Sequence, residues 1–398
     1  MSELHDYNQL SLDRHRQTQG KIETSSRMRL ESQEDLSIAY TPGVARPCEV
    51  IAEDPGEAWN LTWKGRTVAV VSDGSAILGL GDLGPLASLP VMEGKSALFR
   101  EFAGVDSVPI VLDVHEPEEI VRTIRAIAPT FGAINLEDIS APRCFEVEDA
   151  LQDIGIPVLH DDQHGTAIVL LAALRNAARA VDKPFSRLRV VLNGAGAAGR
   201  AIARLLTCAD GGDHCSAVEG LRICDSKGII WEGRPGNTPV KEELARLSNP
   251  EGMTGSLQDA LDGADAFIGV SRGNLLHAED IQRMAPDAIV LAMANPTPEI
   301  DPDEARAGGA LVVGTGRSDY PNQVNNVLVF PGLFRGALEA RATRFTPSMQ
   351  FAAIDAVAAC VEHPTPMRIL PSPFDRSVAV RVARAVARAA RDAGVCHG

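Results

Sequence analysis

The sequence predicts an α/β protein with two domains and a helical C-terminal region. Short runs of β-branched and apolar residues alternate with longer segments of helical period along the chain. One of those runs leads into the glycine fingerprint Gly194-Ala195-Gly196-Ala197-Ala198-Gly199. The length of 398 residues allows two full cores. We therefore predict an N-terminal α/β domain over residues 1–162. A Rossmann-type, doubly wound dinucleotide-binding domain follows over residues 163–398 and includes the C-terminal helices.

The charge and the termini exclude several functional classes. Lys and Arg number 38 against 53 Asp and Glu, and the formal net charge of -15 repels nucleic acid and anionic membrane surfaces. No apolar run approaches the length of a membrane span, and the N-terminus has no basic segment followed by an apolar one. We expect a cytoplasmic protein that binds a small molecule and neither nucleic acid nor membrane.

The cysteine pattern argues against a disulfide framework. The chain has 7 cysteines and no Cys-x-x-Cys pair. Cys208, His214 and Cys215 are close in sequence, but their spacing matches no common zinc site. We predict a surface loop there.

The N-terminal domain is predicted from its strands. Residues 67–72 and 109–112 are β-rich runs that each end in an acid, and residues 91–99 have a helical pattern. Residues 1–35 are polar and predict a helix and an extended arm of the kind that often serves a subunit interface. Local sequence alone favours ordinary structural interpretations for two side chains. Tyr40, before a Pro-Gly turn, would lie at a domain edge, and Lys95 would be solvated.

Two further predicted strands, residues 133–136 and 158–160, end in doubled acids. Because the carboxyl ends of parallel strands meet at one edge of a sheet, these acids should share a crevice. They are Glu137, Asp138, Asp161 and Asp162. Acids after strands also cap helices, but four clustered carboxylates repel one another unless a cation lies among them. Their oxygen donors suit Mg²⁺ or Mn²⁺.

The glycine fingerprint has the surroundings that a dinucleotide site requires. Residues 188–192 form the predicted strand before it, and a helix starts at Arg200, so glycines allow the turn and the approach of pyrophosphate. The next predicted strand ends at Asp225, which would bind a ribose 2′-OH and favour NAD. Lys227 and Arg222 lie beside it in sequence and could meet the 2′-phosphate of NADP. The sequence leaves NAD against NADP open.

The alternation continues through predicted strands at residues 266–270, 289–292 and 311–314, and then through C-terminal helices. Ser271 and Asn295 follow two of these strands and complete the predicted cofactor-binding set. Asparagines at strand ends often make turns, but neutral amides also suit a substrate carboxylate. Asn295 and Asn326 are therefore predicted to bind substrate as well.

Several motifs in the same order make the chain resemble the malic enzymes, in particular the compact bacterial type. The resemblance runs from about Gly20 to the C-terminus. Besides the glycine fingerprint, it rests on Tyr40-Thr41-Pro42-Gly43-Val44-Ala45, Leu78-Gly79-Leu80-Gly81-Asp82, Glu93-Gly94-Lys95, Asn135-Leu136-Glu137-Asp138, His160-Asp161-Asp162-Gln163-His164-Gly165-Thr166, Ala294-Asn295-Pro296-Thr297 and Asn325-Asn326.

The resemblance implies metal-dependent oxidative decarboxylation of L-malate to pyruvate and CO₂ with reduction of NAD⁺ or NADP⁺. It also implies oxaloacetate decarboxylation and a homodimer. Matched position by position, the residues take these implied roles: Glu137, Asp138 and Asp162 as ligands of Mg²⁺ or Mn²⁺, Lys95 as general base, Tyr40 as general acid, Asp161 as the carboxylate beside the lysine, and Asn295 and Asn326 on the substrate. As a base, Lys95 needs a lowered pKa, which burial and a nearby divalent cation would both produce.

The sequence departs from the family pattern at one position, and two other functions are considered. Ala76 stands where many larger malic enzymes have an arginine, so the substrate carboxylate must be bound differently. A malate or other 2-hydroxyacid dehydrogenase would share the cofactor but stop at the keto acid without a metal. A catalytically silent nucleotide-binding regulator would keep the fold alone. The joint presence of Tyr40, Lys95 and the three metal-site acids argues against a silent protein.

Overall fold

A computed structural model describes residues 7–77, 80–212 and 214–397. Leu78 and Gly79 of the predicted glycine-rich turn lie outside the described residues. The same is true of residues 1–6 in the predicted N-terminal helix and arm, and of Asp213 beside the predicted 208–215 loop.

The N-terminal half contains a four-stranded sheet in which the strand pairs are all parallel. Its strands are β1 (Thr67–Ser72), β2 (Asp106–Val111), β3 (Ala133–Leu136) and β4 (Val158–His160), in the order β2-β1-β3-β4. Leu136 at the end of β3 is in register with His160 at the end of β4. The two acid pairs that follow these strands therefore leave the same edge of the sheet, as predicted.

The second half contains a six-stranded sheet that confirms the predicted doubly wound α/β fold. Its strands are β5 (Arg189–Asn193), β6 (Gly220–Asp225), β7 (Gly228–Ile229), β8 (Ala266–Gly269), β9 (Ala288–Ala292) and β10 (Ala310–Thr315), in the order β10-β9-β8-β5-β6-β7. Only β7 pairs antiparallel. Because the chain leaves β5 for β6 on one side and returns to β8 on the other, the carboxyl end of β5 borders a ligand crevice.

Helices cover both sheets and form the C-terminal region. They are α1 (Tyr7–Thr18), α2 (Gln33–Ala39), α3 (Ala45–Glu53), α4 (Ala58–Leu61), α5 (Pro85–Leu98), α6 (Pro117–Ile127), α7 (Arg143–Ala150), α8 (Asp161–Ala180), α9 (Ala197–Thr207), α10 (Pro239–Ser248), α11 (Leu257–Leu261), α12 (Ala278–Ile281), α13 (Pro302–Ala307), α14 (Phe330–Glu339), α15 (Pro347–Ala358) and α16 (Ser377–Asp392). A π-helical turn, Phe99–Ala103, extends α5.

Helix α8 joins the two halves. It begins at Asp161 directly after β4, and its residues from Ala167 to Leu174 are all buried. The predicted division between residues 162 and 163 falls inside its first turn and stays a prediction. The C-terminal helices pack back on the N-terminal half, where the ring centroids of Phe330 and Phe334 lie 4.9 and 5.4 Å from that of Phe99. One continuous core therefore supports both halves.

The N-terminal segment contrasts with this core. Helices α1 to α4 contain no buried residue. The following large apolar side chains of this segment are exposed: Tyr7, Leu10, Leu12, Ile22, Met28, Leu30, Leu36, Ile38, Tyr40, Val44 and Leu61. A concentration of exposed apolar residues in one segment is typical of an interaction surface.

The loop after α9 contains a feature that the cysteine spacing did not predict. Cys208 ends α9 in the left-handed conformation, with φ of 58°. The chain then turns back, and Cys208 is disulfide-bonded to Cys215 with 6.0 Å between their Cα atoms. Among the helices of the described ranges, none has the length and apolar character needed to cross a membrane.

Candidate active site

The three predicted metal ligands, Asp161 and Lys95 meet at the carboxyl edge of β3 and β4. Glu137 and Asp138 are each 4 % exposed and Asp161 is fully buried, whereas the side chain of Asp162 is 40 % exposed. The backbone N–H of Asp138 donates to Oδ2 of Asp162 at 2.9 Å. This bond ties the two acid pairs together across neighbouring strands.

Lys95 is buried among these acids, so its local-sequence interpretation as a solvated lysine is wrong. Its ammonium lies 2.6 Å from Oδ2 of Asp161 and 2.9 Å from Oε1 of Glu137. It also lies 4.2 Å from the ring centroid of Phe330, at the start of α14. The lysine is on α5, whose buried positions also include Met92. A helix, two strand ends and a C-terminal aromatic ring thus enclose one cation.

Neighbouring residues fix the positions of these carboxylates. Asn135 in β3 donates to Oε2 of Glu137 at 2.9 Å, and Asn326 donates to Oδ2 of Asp161. Gly165 in α8 must be glycine here, because a Cβ atom would lie 1.8 Å from Oδ1 of Asp161. The structure therefore brings the predicted substrate residue Asn326 into contact with the Lys95–Asp161 pair.

Burial and the Lys95–carboxylate contacts shift the pKa values of the crevice residues in opposite directions. Burial raises the pKa of Glu137 well above its ordinary value against the opposing effect of Lys95, and burial likewise raises the pKa of Asp161. For Lys95, burial alone would lower the pKa, but Asp161 and Glu137 outweigh it and raise the pKa. This direction is opposite to the one that the sequence argument required for a base.

The donor set suits a hard divalent cation in its chemistry. Glu137, Asp138 and Asp162 offer carboxylate oxygens, and together with Asp161 they outnumber the single cation Lys95. The residues that the structure describes contain no three or more His, Cys, Asp or Glu side chains already arranged around a metal position. Lys95 pairs with Glu137 and Asp161, and the carboxylate side chains must rotate before they can surround an ion.

Two other predicted site residues, Asn295 and Tyr40, have surroundings different from those of the buried acids. Asn295 is exposed beside a cavity of about 550 Å³ that is also bordered by Tyr7 of α1 and by Gln323. Tyr40 follows α2 and is 67 % exposed. Within the described part of the chain its hydroxyl makes no hydrogen bond to the acids or to Lys95. Among the described residues of one chain, no hydrogen bond therefore holds the Tyr40 hydroxyl at the crevice.

The glycine fingerprint forms a cradle open on one side. Gly194 has φ of 132°, and a Cβ atom there would lie 2.7 Å from the carbonyl oxygen of Val270. A Cβ on Gly199 would lie 1.9 Å from the carbonyl oxygen of Gly194, whereas one on Gly196 would meet nothing within 4 Å. The space above Gly196, at the N-terminus of α9, has room for a pyrophosphate group that the helix N–H groups can bind.

At the end of β6, Asp225 has cationic partners that the sequence argument missed. Arg234 donates to both of its carboxylate oxygens, and Lys241 donates at 2.6 Å. Although burial opposes it, these bonds lower the pKa of Asp225 to about 2. Arg222 instead donates to the carbonyl of Ala260. Both partners lie downstream of the strand, where no local pattern marks them.

A second residue that the sequence argument missed is Glu148 in α7. Its carboxylate accepts from the backbone N–H of His160 at 2.9 Å, from Gln163 at 2.8 Å and from His164 at 3.2 Å. These bonds hold both sides of the Asp161-Asp162 pair. The local sequence around Glu148 is an ordinary helical pattern and gives no sign of this role. Its hydrogen bonds to the His160–His164 segment are what identify it as a residue that supports the acid pair.

Comparisons with known proteins agree with the geometry. The family model described as the malic enzyme N-terminal domain matches residues 19–118, and the malic enzyme NAD binding domain matches residues 163–391. A bifunctional malic/malolactic enzyme from Bacillus subtilis is 52 % identical over 97 % of this chain and 94 % of its own. An NADP-dependent malic enzyme from Halomonas elongata is 45 % identical over 98 % and 94 %. The crystal structure of an NAD-dependent malic enzyme from Thermotoga maritima is 47 % identical, with a TM-score of 0.90 over 94 % of this chain and 98 % of that one.

The buried charges predict a pH-dependent effect of removing Lys95. Carboxyl groups whose pKa is raised by folding contribute stability below their ordinary pKa and lose it as the pH rises through the raised value. Lys95→Met removes the cation that opposes this rise at Glu137 and Asp161. We expect a loss of about 3–5 kcal/mol in the free energy of unfolding near pH 8 and a clearly smaller loss near pH 5.

Urea denaturation with a chelator present measures this difference. Lys64→Met is the matched control, because the Lys64 ammonium bonds the carbonyl oxygen of Phe131 at 2.6 Å and, among the described residues, pairs with no carboxylate. Its effect should be the same at both pH values. An equal loss at both pH values for Lys95→Met would show that the crevice carboxylates are not controlled by Lys95.

Proposed function

The chain belongs to the malic enzyme family, and we propose that the crevice at the carboxyl ends of β3 and β4 is where it acts on L-malate. The protein is a decarboxylating malate dehydrogenase: L-malate and NAD⁺ or NADP⁺ give pyruvate, CO₂ and the reduced dinucleotide. The observation that carries the site assignment is the buried Lys95 ammonium between Asp161 and Glu137. A proton-transfer group next to excess carboxylates is what this chemistry requires.

Glu137, Asp138 and Asp162 are the residues that would hold Mg²⁺ or Mn²⁺. The excess of negative charge around one lysine supports this assignment, as do the hard oxygen donors. When bound, a divalent cation supplies positive charge that polarises the oxygen atoms of the substrate. Asn135 keeps one oxygen of Glu137 occupied, so the other oxygen, now on Lys95, is the one available to a new partner.

Lys95 would take the proton from the C2 hydroxyl of malate while hydride leaves C2. To act as a base it must first lose its own proton, and both Asp161 and Glu137 oppose that loss. If Glu137 turns to another partner, Lys95 loses one of the two carboxylates that raise its pKa, and the opposing effect of burial then lowers that pKa toward the value a base needs. Asp161, held by Asn326, then keeps the amine in position.

The assay that tests this function follows nicotinamide reduction with L-malate and Mn²⁺ while released CO₂ is trapped. We expect one CO₂ for each reduced dinucleotide, because the keto acid decarboxylates in the same crevice. Chelation should abolish both signals, and added Mn²⁺ should restore them. Reduction without CO₂, or full activity in chelator, would instead identify a 2-hydroxyacid dehydrogenase that stops at the keto acid.

The adenosine end of the dinucleotide would lie at Asp225. Because Arg234 and Lys241 engage its carboxylate, the local charge is positive rather than negative. Arg234 is 9 % exposed and Lys241 27 %, so Lys241 is the cation that a ligand reaches more readily. This arrangement supports acceptance of a 2′-phosphate, and thus use of NADP⁺ as well as NAD⁺.

Lys241→Met tests the cofactor assignment. We expect the KM for NADP⁺ to rise roughly tenfold and the KM for NAD⁺ to change by less than about twofold, because only NADP⁺ carries the phosphate. Lys183→Met is the matched control, since the Lys183 ammonium pairs with Asp265 at 3.0 Å rather than with Asp225. Equal changes for both cofactors would place the 2′-phosphate elsewhere.

A homodimer would complete the site. Tyr40 is exposed and belongs to the exposed apolar N-terminal segment, which a second copy of the chain would cover. Among the described residues of its own chain, the Tyr40 hydroxyl makes no hydrogen bond in the crevice, yet protonation of the enolate carbon needs an acid within reach. We place Tyr40 in the crevice of the partner subunit.

Mixed dimers test this arrangement. Lys95→Ala and Tyr40→Phe homodimers should each be nearly inactive. In a mixed dimer, the subunit with intact Lys95 receives intact Tyr40 from the other chain. Random mixing should therefore restore about a quarter of the wild-type kcat, because half of the dimers each contain one intact site.

The control pairs Lys95→Ala with Asp161→Asn. These two residues contact each other within one chain, so no mixed dimer has an intact site and no activity should return. If Tyr40 acts within its own chain, the Lys95→Ala and Tyr40→Phe mixture will stay equally inactive. A monomeric wild-type protein by light scattering would refute the dimer directly.

A further inference from the structure

Glu299, between β9 and α13, is a buried carboxylate that forms no ion pair with any residue the structure describes. It is fully buried. Oε1 accepts from the backbone N–H of Ser271 at 2.9 Å, and Oε2 accepts from the backbone N–H of Ala294 at 3.0 Å. In the described ranges no Lys, Arg or His nitrogen lies within 4.0 Å of it, in contrast to the acids around Lys95. Its charge is balanced only by hydrogen bonds.

The surrounding chain is built to accommodate this carboxylate. Gly269 ends β8, and a Cβ atom there would lie 2.3 Å from the carboxyl carbon of Glu299. The hydroxyl of Ser271 bonds the carboxylate and in turn accepts from the side chain of Asn193 at 2.8 Å. Asn193 ends β5 and Ala294 follows β9. Glu299 therefore lies beneath the carboxyl ends of three adjacent strands, β5, β8 and β9.

Hydrogen bonds to both oxygens favour the ionised form of Glu299, although burial keeps its pKa above the ordinary value. Burial raises the pKa of Glu299, and the bonds from Ser271 and Ala294 oppose that rise. Each carboxylate oxygen receives a backbone N–H, which is the pattern that a carboxylate satisfies with both oxygens as acceptors. An unpaired buried charge is costly. It becomes favourable when a ligand brings the opposite charge to the same place.

We propose that Glu299 is the counter-charge of the oxidised nicotinamide ring and makes the site prefer NAD⁺ or NADP⁺ to the reduced forms. This inference rests on the proposed function and on the predicted cofactor residues Ser271 and Asn295, which follow β8 and β9 and would bring the nicotinamide ring to this edge. The oxidised ring carries one positive charge and the reduced ring none, so a buried anion discriminates between them. The preference disappears when hydride reaches the ring, which favours release of the reduced product.

Glu299→Gln tests the proposal, because it keeps the shape and removes the charge. Dissociation constants of NAD⁺, NADH, NADP⁺, NADPH and ADP-ribose are measured by calorimetry. We expect the constants of the oxidised forms to rise roughly tenfold, since charges in a protein interior are weakly screened. Those of the reduced forms and of ADP-ribose, which lacks nicotinamide, should change by less than about twofold.

Glu299→Asp and Glu304→Gln complete the experiment. The Asp variant keeps the charge, so it should weaken all ligands by a similar factor and preserve the oxidised-to-reduced preference even if the Gln variant does not fold. Glu304, nearby in α13, is partly exposed and paired with His277, so its Gln variant should preserve every constant.

Two results would overturn the proposal. One is a Gln variant that weakens the binding of oxidised, reduced and nicotinamide-free ligands equally. In that case the role of Glu299 would be only to hold the ends of the strands in place. The other is an Asp variant that loses the preference. A wild-type protein that binds none of the ligands would overturn the dinucleotide site together with this inference, so the two failures are distinguishable.

Discussion

The ion pairs of Lys95 with Asp161 and Glu137 are the interaction on which the rest of the site depends. All three side chains are buried, and removing one partner of such a cluster leaves charges without compensation. The parallel register of β3 and β4 brings the acids to one edge. Helix α5 supplies the cation, and Phe330 of α14 closes the remaining side with its ring face. Neither half of the chain could build this site alone.

This dependence explains why the C-terminal helices pack on the N-terminal half. Phe330 and Phe334 contact Phe99, which follows the helix of Lys95, and Asn326 just before α14 reaches Asp161. Helix α8 continues from the acid pair into the core shared with the dinucleotide-binding sheet. The substrate crevice and the cofactor edge are thus connected by buried side chains rather than by a flexible linker.

Much of this architecture could be predicted from the sequence, because it depends on local residue patterns. Both sheets are predicted by short apolar runs in the sequence. The two crevices are predicted by the acids that follow strands and by the glycine turn between a strand and a helix. Burial of Lys95 could not be predicted locally, since it depends on Phe330, far away in the chain. The cations around Asp225 and the direction of the Lys95 pKa likewise depend on tertiary contacts. The disulfide forms because the chain reverses after Cys208.

The two buried acidic sites differ in how their charge is balanced, and the difference follows from what each must bind. The acids at Lys95 repel one another, so the fold includes a cation that holds them together before any ligand arrives. The described hydrogen-bond partners of Glu299 include no second carboxylate, and backbone N–H groups hold it. A hydrogen-bonded carboxylate keeps its full charge available to a ligand, whereas an ion-paired one does not. The cofactor edge can therefore respond to the charge of the nicotinamide ring, while the crevice at Lys95 responds to cations that compete with its lysine.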